Sequence, residues 1–381
     1  MKNTKTIKTI LFTALILSLV IPITGLNMVN AEQTSDMKQQ DIEKLREKAN
    51  KLDPTSREFF DLVKRDSLSD AEINKAKEIM MQDENVRTLL QDKSLEIQSV
   101  SFVGDYSVLP VNWHPVLHLV DGDETISVQV DLENQKLEKV NKYKSEKLAL
   151  NNAYAVAEYT GSQSLMKGIT MKTLNQPTGY TGSSSYSGFS ALVLNAAMYG
   201  SDISKLCTAS QFPSNYFLQA AYFFNSAGWQ YRYADTTTNC ASYDLGLPAP
   251  SATDDVKFDI YSGSTWWIVL QNISKSQFAY YSKTGMNSGW IAPNQEATSV
   301  FFENNYSTTS NWNSQFVDGN PSITSAKVQK SDSTWVNWST ESQYVLDCNG
   351  TTQTDNVISG SLTSGGTATW NLSAMTGWPN C

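Results

Sequence analysis

The spacing of apolar residues divides the chain into a helical stretch followed by many short strands. Apolar residues recur at helical spacing over 42–52 and again around 59–63. Ser69 and Glu72 have the spacing of a capping box before a third helix. Further along, apolar and polar residues alternate in short runs bounded by turn residues, which is typical of strands. The pattern predicts N-terminal helices and a chain that is mainly β.

A small α+β unit is predicted after the helices. Residues 126–130 alternate between apolar and polar, the segment 131–135 has turn composition, and a further strand begins at Leu137. We expect this unit to end in a helix near 148–159.

The second half of the chain predicts a β-sandwich or jelly roll of the concanavalin-like kind. About ten short strands with turns between them favour that architecture. The predicted strands cover 216–224, 229–234, 256–261, 266–271, 277–281, 297–303, 325–330, 343–346, 356–362 and 367–372.

The first 31 residues have the composition of a signal peptide. Lys2, Lys5 and Lys8 precede an apolar run over 9–26, and Val-Asn-Ala follows before Glu32. We therefore expect the mature chain to be secreted and extracellular. Outside this leader no stretch reaches the roughly 18 apolar residues of a membrane span, so none is predicted.

Charge and motifs exclude several classes of function. The formal net charge is −9, and basic residues are too sparse for a phosphate-binding stripe, so nucleic acid is not an expected partner. The sequence has neither a glycine-rich phosphate loop nor a zinc-type spacing. Its two histidines, His114 and His118, lie in a predicted strand, where residues four apart stand about 13 Å apart. We predict no metal ligands and no cofactor.

Composition places a domain boundary near residue 168. Charged residues concentrate in 32–168, the helical and α+β region, whereas every tryptophan except Trp113 lies in 169–381. All four cysteines also lie in the second part, where an exported chain favours two disulfides, with three pairings open. These cysteines are Cys207, Cys240, Cys348 and Cys381.

The N-terminal α+β stretch resembles a PepSY domain. The resemblance rests on the helix containing 83–86, the strand with Trp113, and 126–131 running into a turn. It implies that 32–168 is a propeptide or an intramolecular regulator of the following domain. The lysines at 136–147 could then contact the acidic sandwich.

Elimination restricts the chemistry open to the second domain. It contains no histidine, and its cysteines are expected to be oxidised, so a Ser-His-Asp triad or a Cys-His pair cannot be built within it. Carboxylates remain, and Glu303 ends an alternating aromatic strand beside Phe301. Gln219 is a polar amide inside an apolar run and must find a hydrogen-bond partner or line a cleft.

Together these strands resemble the eqolisin-type glutamic peptidases. The matching segments are 218–219, then 229–233 on the next strand, and 300–303 some eighty residues on. The resemblance implies a jelly-roll endopeptidase with a Gln219/Glu303 dyad, active at acidic pH on polypeptide substrates. Glu303 would activate water and then protonate the leaving amine, while Gln219 would stabilise the oxyanion. The chain departs from the family's pattern on the strand after Gln219: the family has an aromatic-flanked glutamate there, whereas this chain has Arg232 and Asp235 nearby.

Two other hypotheses stay open. The tryptophans of the second domain could stack on glycan rings or on extended peptide, which would make the protein a non-catalytic binding module. Alternatively the sandwich could be a structural or adhesive exoprotein. An enzyme requires Gln219 and Glu303 side by side on one concave face, whereas a lectin requires two or more tryptophans that are coplanar on an exposed face.

Overall fold

A computed structural model gives the fold of most of the chain. It describes residues 39–90, 96–121, 124–144, 153–161, 166–175, 189–197, 217–225, 228–235, 242–262, 265–284, 298–305, 320–347, 351–354 and 357–371. The predicted leader and all four cysteines lie outside these residues, so the signal peptide and the disulfides stay predictions.

Four helices open the described chain. They are α1 (Gln39–Ala49), α2 (Arg57–Val63), α3 (Asp70–Gln82) and α4 (Glu84–Leu89). The predicted capping box is confirmed, because Ser69 Oγ accepts from the Glu72 amide at 3.3 Å and the Ser69 amide donates to Glu72 Oε2 at 3.0 Å. None of the described helices is long and apolar enough to cross a membrane.

Loss of this cap should have a measurable cost. We expect Ser69→Ala to lower the free energy of unfolding by about 1 kcal/mol, because the Glu72 amide loses its acceptor. Urea unfolding of the full chain measures the change, with Ser67→Ala as the matched control on an exposed neighbour. Equal stability of the two variants would contradict a stabilising cap.

The strands, numbered in chain order, form two large antiparallel sheets. The twelve-stranded sheet runs β19-β20-β15-β6-β11-β12-β13-β1-β2-β3-β4, with β16 paired to β15. Its strands are β1 (Ile97–Asp105), β2 (Trp113–Asp121), β3 (Glu124–Asp131), β4 (Lys136–Lys144), β6 (Met166–Asn175), β11 (Val256–Ser262), β12 (Thr265–Asn272), β13 (Gln277–Thr284), β15 (Ser322–Lys330), β16 (Trp335–Asn337), β19 (Ile358–Gly360) and β20 (Thr367–Trp370).

The second sheet has eight strands in the order β10-β9-β8-β7-β14-β5-β17-β18. They are β5 (Ala153–Tyr159), β7 (Phe189–Ala197), β8 (Phe217–Asn225), β9 (Gly228–Asp235), β10 (Ser242–Asp244), β14 (Thr298–Asn305), β17 (Glu341–Leu346) and β18 (Thr352–Gln353). The mainly β fold and the sandwich are therefore confirmed, and most predicted strands of the second half are present within a few residues.

The main core lies between the two sheets. Leu218 and Ala220 of β8 and Val300 and Phe302 of β14 point into it, where they join residues such as Ile260 of β11. Because successive side chains alternate across a strand, the odd-numbered residues of β8 and β14 lie on the opposite side. We call that side the outer face of the eight-stranded sheet.

A second cluster covers the other side of the twelve-stranded sheet. Phe59 and Phe60 of α2 pack there against Trp267, Phe278 and Tyr280. The rings of Phe60 and Tyr280 meet edge to face with centroids 5.2 Å apart. The second helix is thus part of this aromatic core.

One predicted helix of the N-terminal region is wrong, and the strands on either side of the predicted boundary belong to one sheet. The predicted helix at 148–159 is wrong over Ala153–Tyr159, which is a strand that pairs with β14 and β17, because Ala155 and Ala157 fit the closely packed core between the two sheets. The expected boundary at residue 168 falls inside β6, and the twelve-stranded sheet is continuous across it, since β1 pairs with β13. The α+β region is built into the sandwich.

Candidate functional site

The two predicted catalytic residues lie on the same face of the same sheet. Gln219 belongs to β8 and Glu303 to β14, and β7 separates those two strands. Both positions have the odd numbering of the outer face. Gln219 is half-buried, while the side chain of Glu303 is outside the described part of the chain.

The register shows how far apart the two positions are. Gln219 pairs with Asn195 of β7, and Glu303 pairs with Ala191 of the same strand. Residues four apart in a strand are about 13 Å apart, and two strand spacings are about 10 Å. The two positions are therefore offset diagonally across β7, with Val193 between them.

Gln219 begins a row of polar residues that crosses the outer face. Its paired positions run through Asn195, Ser299, Glu158 and Ser342, on β7, β14, β5 and β17. Ser299 is buried, and Glu158 is half-buried. The sequence interpretation missed Glu158, because it assigned 148–159 to a helix, where residue 158 has no defined place in a sheet.

The N-terminal region covers part of this outer face. Arg232 of β9 pairs with Ala221 and is fully buried, although it lies on the side away from the main core. Its guanidinium carbon sits 4.2 Å from the ring centre of Tyr143 in β4, and its Nε donates to Gln230 Oε1 at 2.8 Å. Residues of β4 therefore pack one strand away from Gln219.

A buried polar network joins the same elements. Both ring nitrogens of His118 meet hydroxyls, Nδ1 at 2.8 Å from Ser127 Oγ and Nε2 at 3.1 Å from Ser101 Oγ. The Ser127 hydroxyl lies 2.9 Å from the Tyr143 hydroxyl, which accepts from the Asp244 amide at 2.8 Å. The network connects the four strands β1–β4 with β10, at the edge of the eight-stranded sheet. No local pattern in the sequence indicates this network.

The other histidine belongs to an ion-pair network. His114 Nδ1 is 2.8 Å from Glu138 Oε2, and Asp131 completes a group whose possible ligand atoms lie within 4.8 Å of one another. Lys136 Nζ lies 3.5 Å from Glu138 and 3.9 Å from Asp131. Lys136 supplies the positive charge that a metal ion would bring, so we assign these residues a structural role. Lys142 likewise pairs with Glu124 of its own region, at 2.7 Å.

The described tryptophans serve mainly as core. Trp266, Trp267, Trp338 and Trp370 are buried, and Trp335 is half-buried. Stacking on sugar rings requires exposed, coplanar aromatic faces. Among the described parts of the second domain, these side chains offer no such platform.

The sequence matches no protein-family model and no curated protein. By structure the chain is similar to scytalido-glutamic peptidase, in two crystal structures that hold a transition-state analogue. Each match covers 58% of this chain and 97% of the peptidase, at 16% identity and a TM-score of 0.37. A protein of unknown function from Shewanella oneidensis MR-1 matches 58% of this chain and 85% of its own length, at 12% identity and a TM-score of 0.22. At these scores the likenesses carry no functional conclusion.

Proposed function

We propose that this protein is an exported, acid-active endopeptidase whose Gln219 and Glu303 act together on the outer face of the eight-stranded sheet. The observation that carries the proposal is that the two positions share that face and flank β7. Alternation along β14 gave the side of Glu303, but the strand order and the face shared with Gln219 come only from the fold.

The offset between the two residues sets a condition on a shared water molecule. On a flat sheet, the strand spacings place the Cα atoms of Gln219 and Glu303 about 16 Å apart. Side chains stand roughly perpendicular to a sheet. A water that contacts both groups therefore requires the sheet to curve across β7, so that the two side chains lean towards each other.

The two side chains have different roles in the proposed reaction. The Glu303 carboxylate removes a proton from the water as it attacks the peptide carbonyl, and the resulting acid then protonates the leaving amine. The Gln219 amide donates to the oxyanion of the tetrahedral intermediate. A glutamate carboxyl titrates ordinarily near pH 4, so an acidic medium lets one group serve as base and then as acid. Glu158 of β5, which is half-buried, lies in the same polar row as Gln219.

Cleavage of a denatured protein tests the proposal. The chain from Glu32 onward should cleave it between about pH 3 and 5. Glu303→Gln should lower kcat at least about 100-fold, because it removes the ionisable group. Gln219→Ala should lower kcat about 100- to 1000-fold, because the oxyanion loses a donor.

The matched control is Glu133→Gln, which removes an exposed carboxylate from the turn between β3 and β4 and should leave kcat unchanged. Circular dichroism checks that every variant is folded. Full activity in Glu303→Gln would rule out the dyad. Peptide binding without cleavage by the folded protein would instead support the binding module.

A further inference from the structure

We infer that the packing of β1 to β4 against β9 and β10 is an acid-sensitive latch centred on His118, closed near neutral pH and opened by acidification. The inference stands on the position of one imidazole at a contact between two sheets. It does not depend on whether the outer face hydrolyses peptides.

The imidazole sits wholly inside the contact. His118 is fully buried, and its ring lies 5.1 Å from the ring of Tyr243 in β10 and 5.8 Å from that of Tyr233 in β9. Ser101 of β1 and Ser127 of β3 are hydrogen-bonded to its two ring nitrogens. One side chain thus touches both halves of the contact.

The groups around His118 offer no free counter-charge. The titratable and charged groups of the surrounding network are Tyr143 from β4, Arg232 and Tyr233 from β9, and Tyr243 and Asp244 from β10. Both Asp244 oxygens already accept hydrogen bonds, from Asn141 Nδ2 at 2.6 Å and the Gly246 amide at 2.9 Å. Arg232 lies opposite Asp244 in the β9–β10 register, and their charges are of opposite sign. A proton on His118 would therefore add a net charge to a buried site.

Burial therefore makes protonation unfavourable in the closed form. It lowers the pKa of His118 from 6.5 to about 3. Because the depressed value belongs to the folded state, the opened form binds the proton more tightly, and closure weakens as the pH falls from 6.5 towards 3. Well inside that window each pH unit should raise the opening constant about tenfold, and next to either pKa value about fivefold.

Opening would act next to the proposed site. The latch strands β9 and β10 border β8, and Gln219 pairs directly with Ala234 of β9. Separation of β4 from Arg232 would uncover the part of the outer face that lies beside Gln219. Acid would thus give a substrate access to the face on which Glu303 also lies.

Hydrogen exchange on the chain from Glu32 onward tests the latch. Between pH 6.5 and 5, after correction for intrinsic rates, the amides of β2, β4, β9 and β10 should open about 16-fold more often. The amides of β11 and β12 should not change. His118→Gln keeps a neutral hydrogen-bonding side chain and should abolish the pH dependence, whereas the control His114→Gln should retain it. Because carboxyl groups ordinarily titrate below pH 5, a change between pH 6.5 and 5 reports on the histidine.

A second measurement covers the case in which His118→Gln does not fold. The NMR signal of the His118 ring, assigned by comparison with His114→Gln, should show a neutral imidazole at pH 5 in the folded wild-type protein. A ring that titrates near pH 6.5 would overturn the inference. So would a pH-independent exchange rate of β9 and β10, or a rise in exchange shared equally by every strand. Neither readout uses peptidase activity, so failure of the proposed function leaves this test intact.

Discussion

A chain that begins at Ile169 should not form the sandwich. It lacks β5, which lies between β14 and β17 in the middle of the eight-stranded sheet. It also lacks β1, so the edge of β13 is left unpaired. Without β5 the strands β14 and β17 have no common partner, and the core loses Ala155 and Ala157. Open edges of this kind favour aggregation over folding.

Size-exclusion chromatography and urea unfolding of the 169–381 chain measure this outcome. We expect aggregates and no cooperative unfolding transition, whereas the control chain from Glu32 should be monodisperse and unfold cooperatively. A sharp transition in the shorter chain would mean that the eight-stranded sheet closes without β5. In that case residues 32–168 would be a separable propeptide.

Phe60→Ala should lower the free energy of unfolding by about 3 to 5 kcal/mol. Phe60 is buried, and its ring centroid lies 5.2 Å from that of Tyr280, 5.4 Å from that of Phe278 and 5.8 Å from that of Trp267. Removing the ring leaves a cavity between α2 and the twelve-stranded sheet. The surrounding aromatic rings are held by the sheet and cannot collapse to fill it.

Two further variants provide reference values for the loss of stability in Phe60→Ala. Phe60→Leu fills most of the cavity and should cost clearly less than Phe60→Ala. Val108→Ala changes a side chain that is 66% exposed, and its effect should stay within about 0.5 kcal/mol. Urea unfolding of the full chain compares the three. A loss below about 1 kcal/mol in Phe60→Ala would mean that α2 contributes little to the core.

The local pattern of apolar residues alone predicted most strands of the C-terminal half. Apolar alternation located β8, β9 and β11 to β14 within a few residues, because a strand with one buried face imposes a period of two on its own sequence. It also put Glu303 and Phe301 on one side of β14. The capping box at Ser69 is equally local, since its two partners are three residues apart.

Local pattern failed at β5. The segment 153–159 is rich in alanine and has helical propensity, but Ala155 and Ala157 pack into the core between the two sheets, while β14 and β17 supply the backbone partners on either side. The missed strand also hid Glu158 and the polar row. Propensity is a weak preference, and tertiary packing overrides it when both neighbours of a strand come from distant segments.

The sequence by itself determined which residues alternate, where helices begin, and which residue types could carry acid-base chemistry. Only the tertiary structure decided that β1 joins β13, that Gln219 and Glu303 flank β7, and that His118 of β2 is buried against Tyr243 of β10. Periodicity reports the side of a strand that is buried, because that property repeats along the chain. It carries no information about which strands pair, since pairing depends on contacts between residues far apart in sequence.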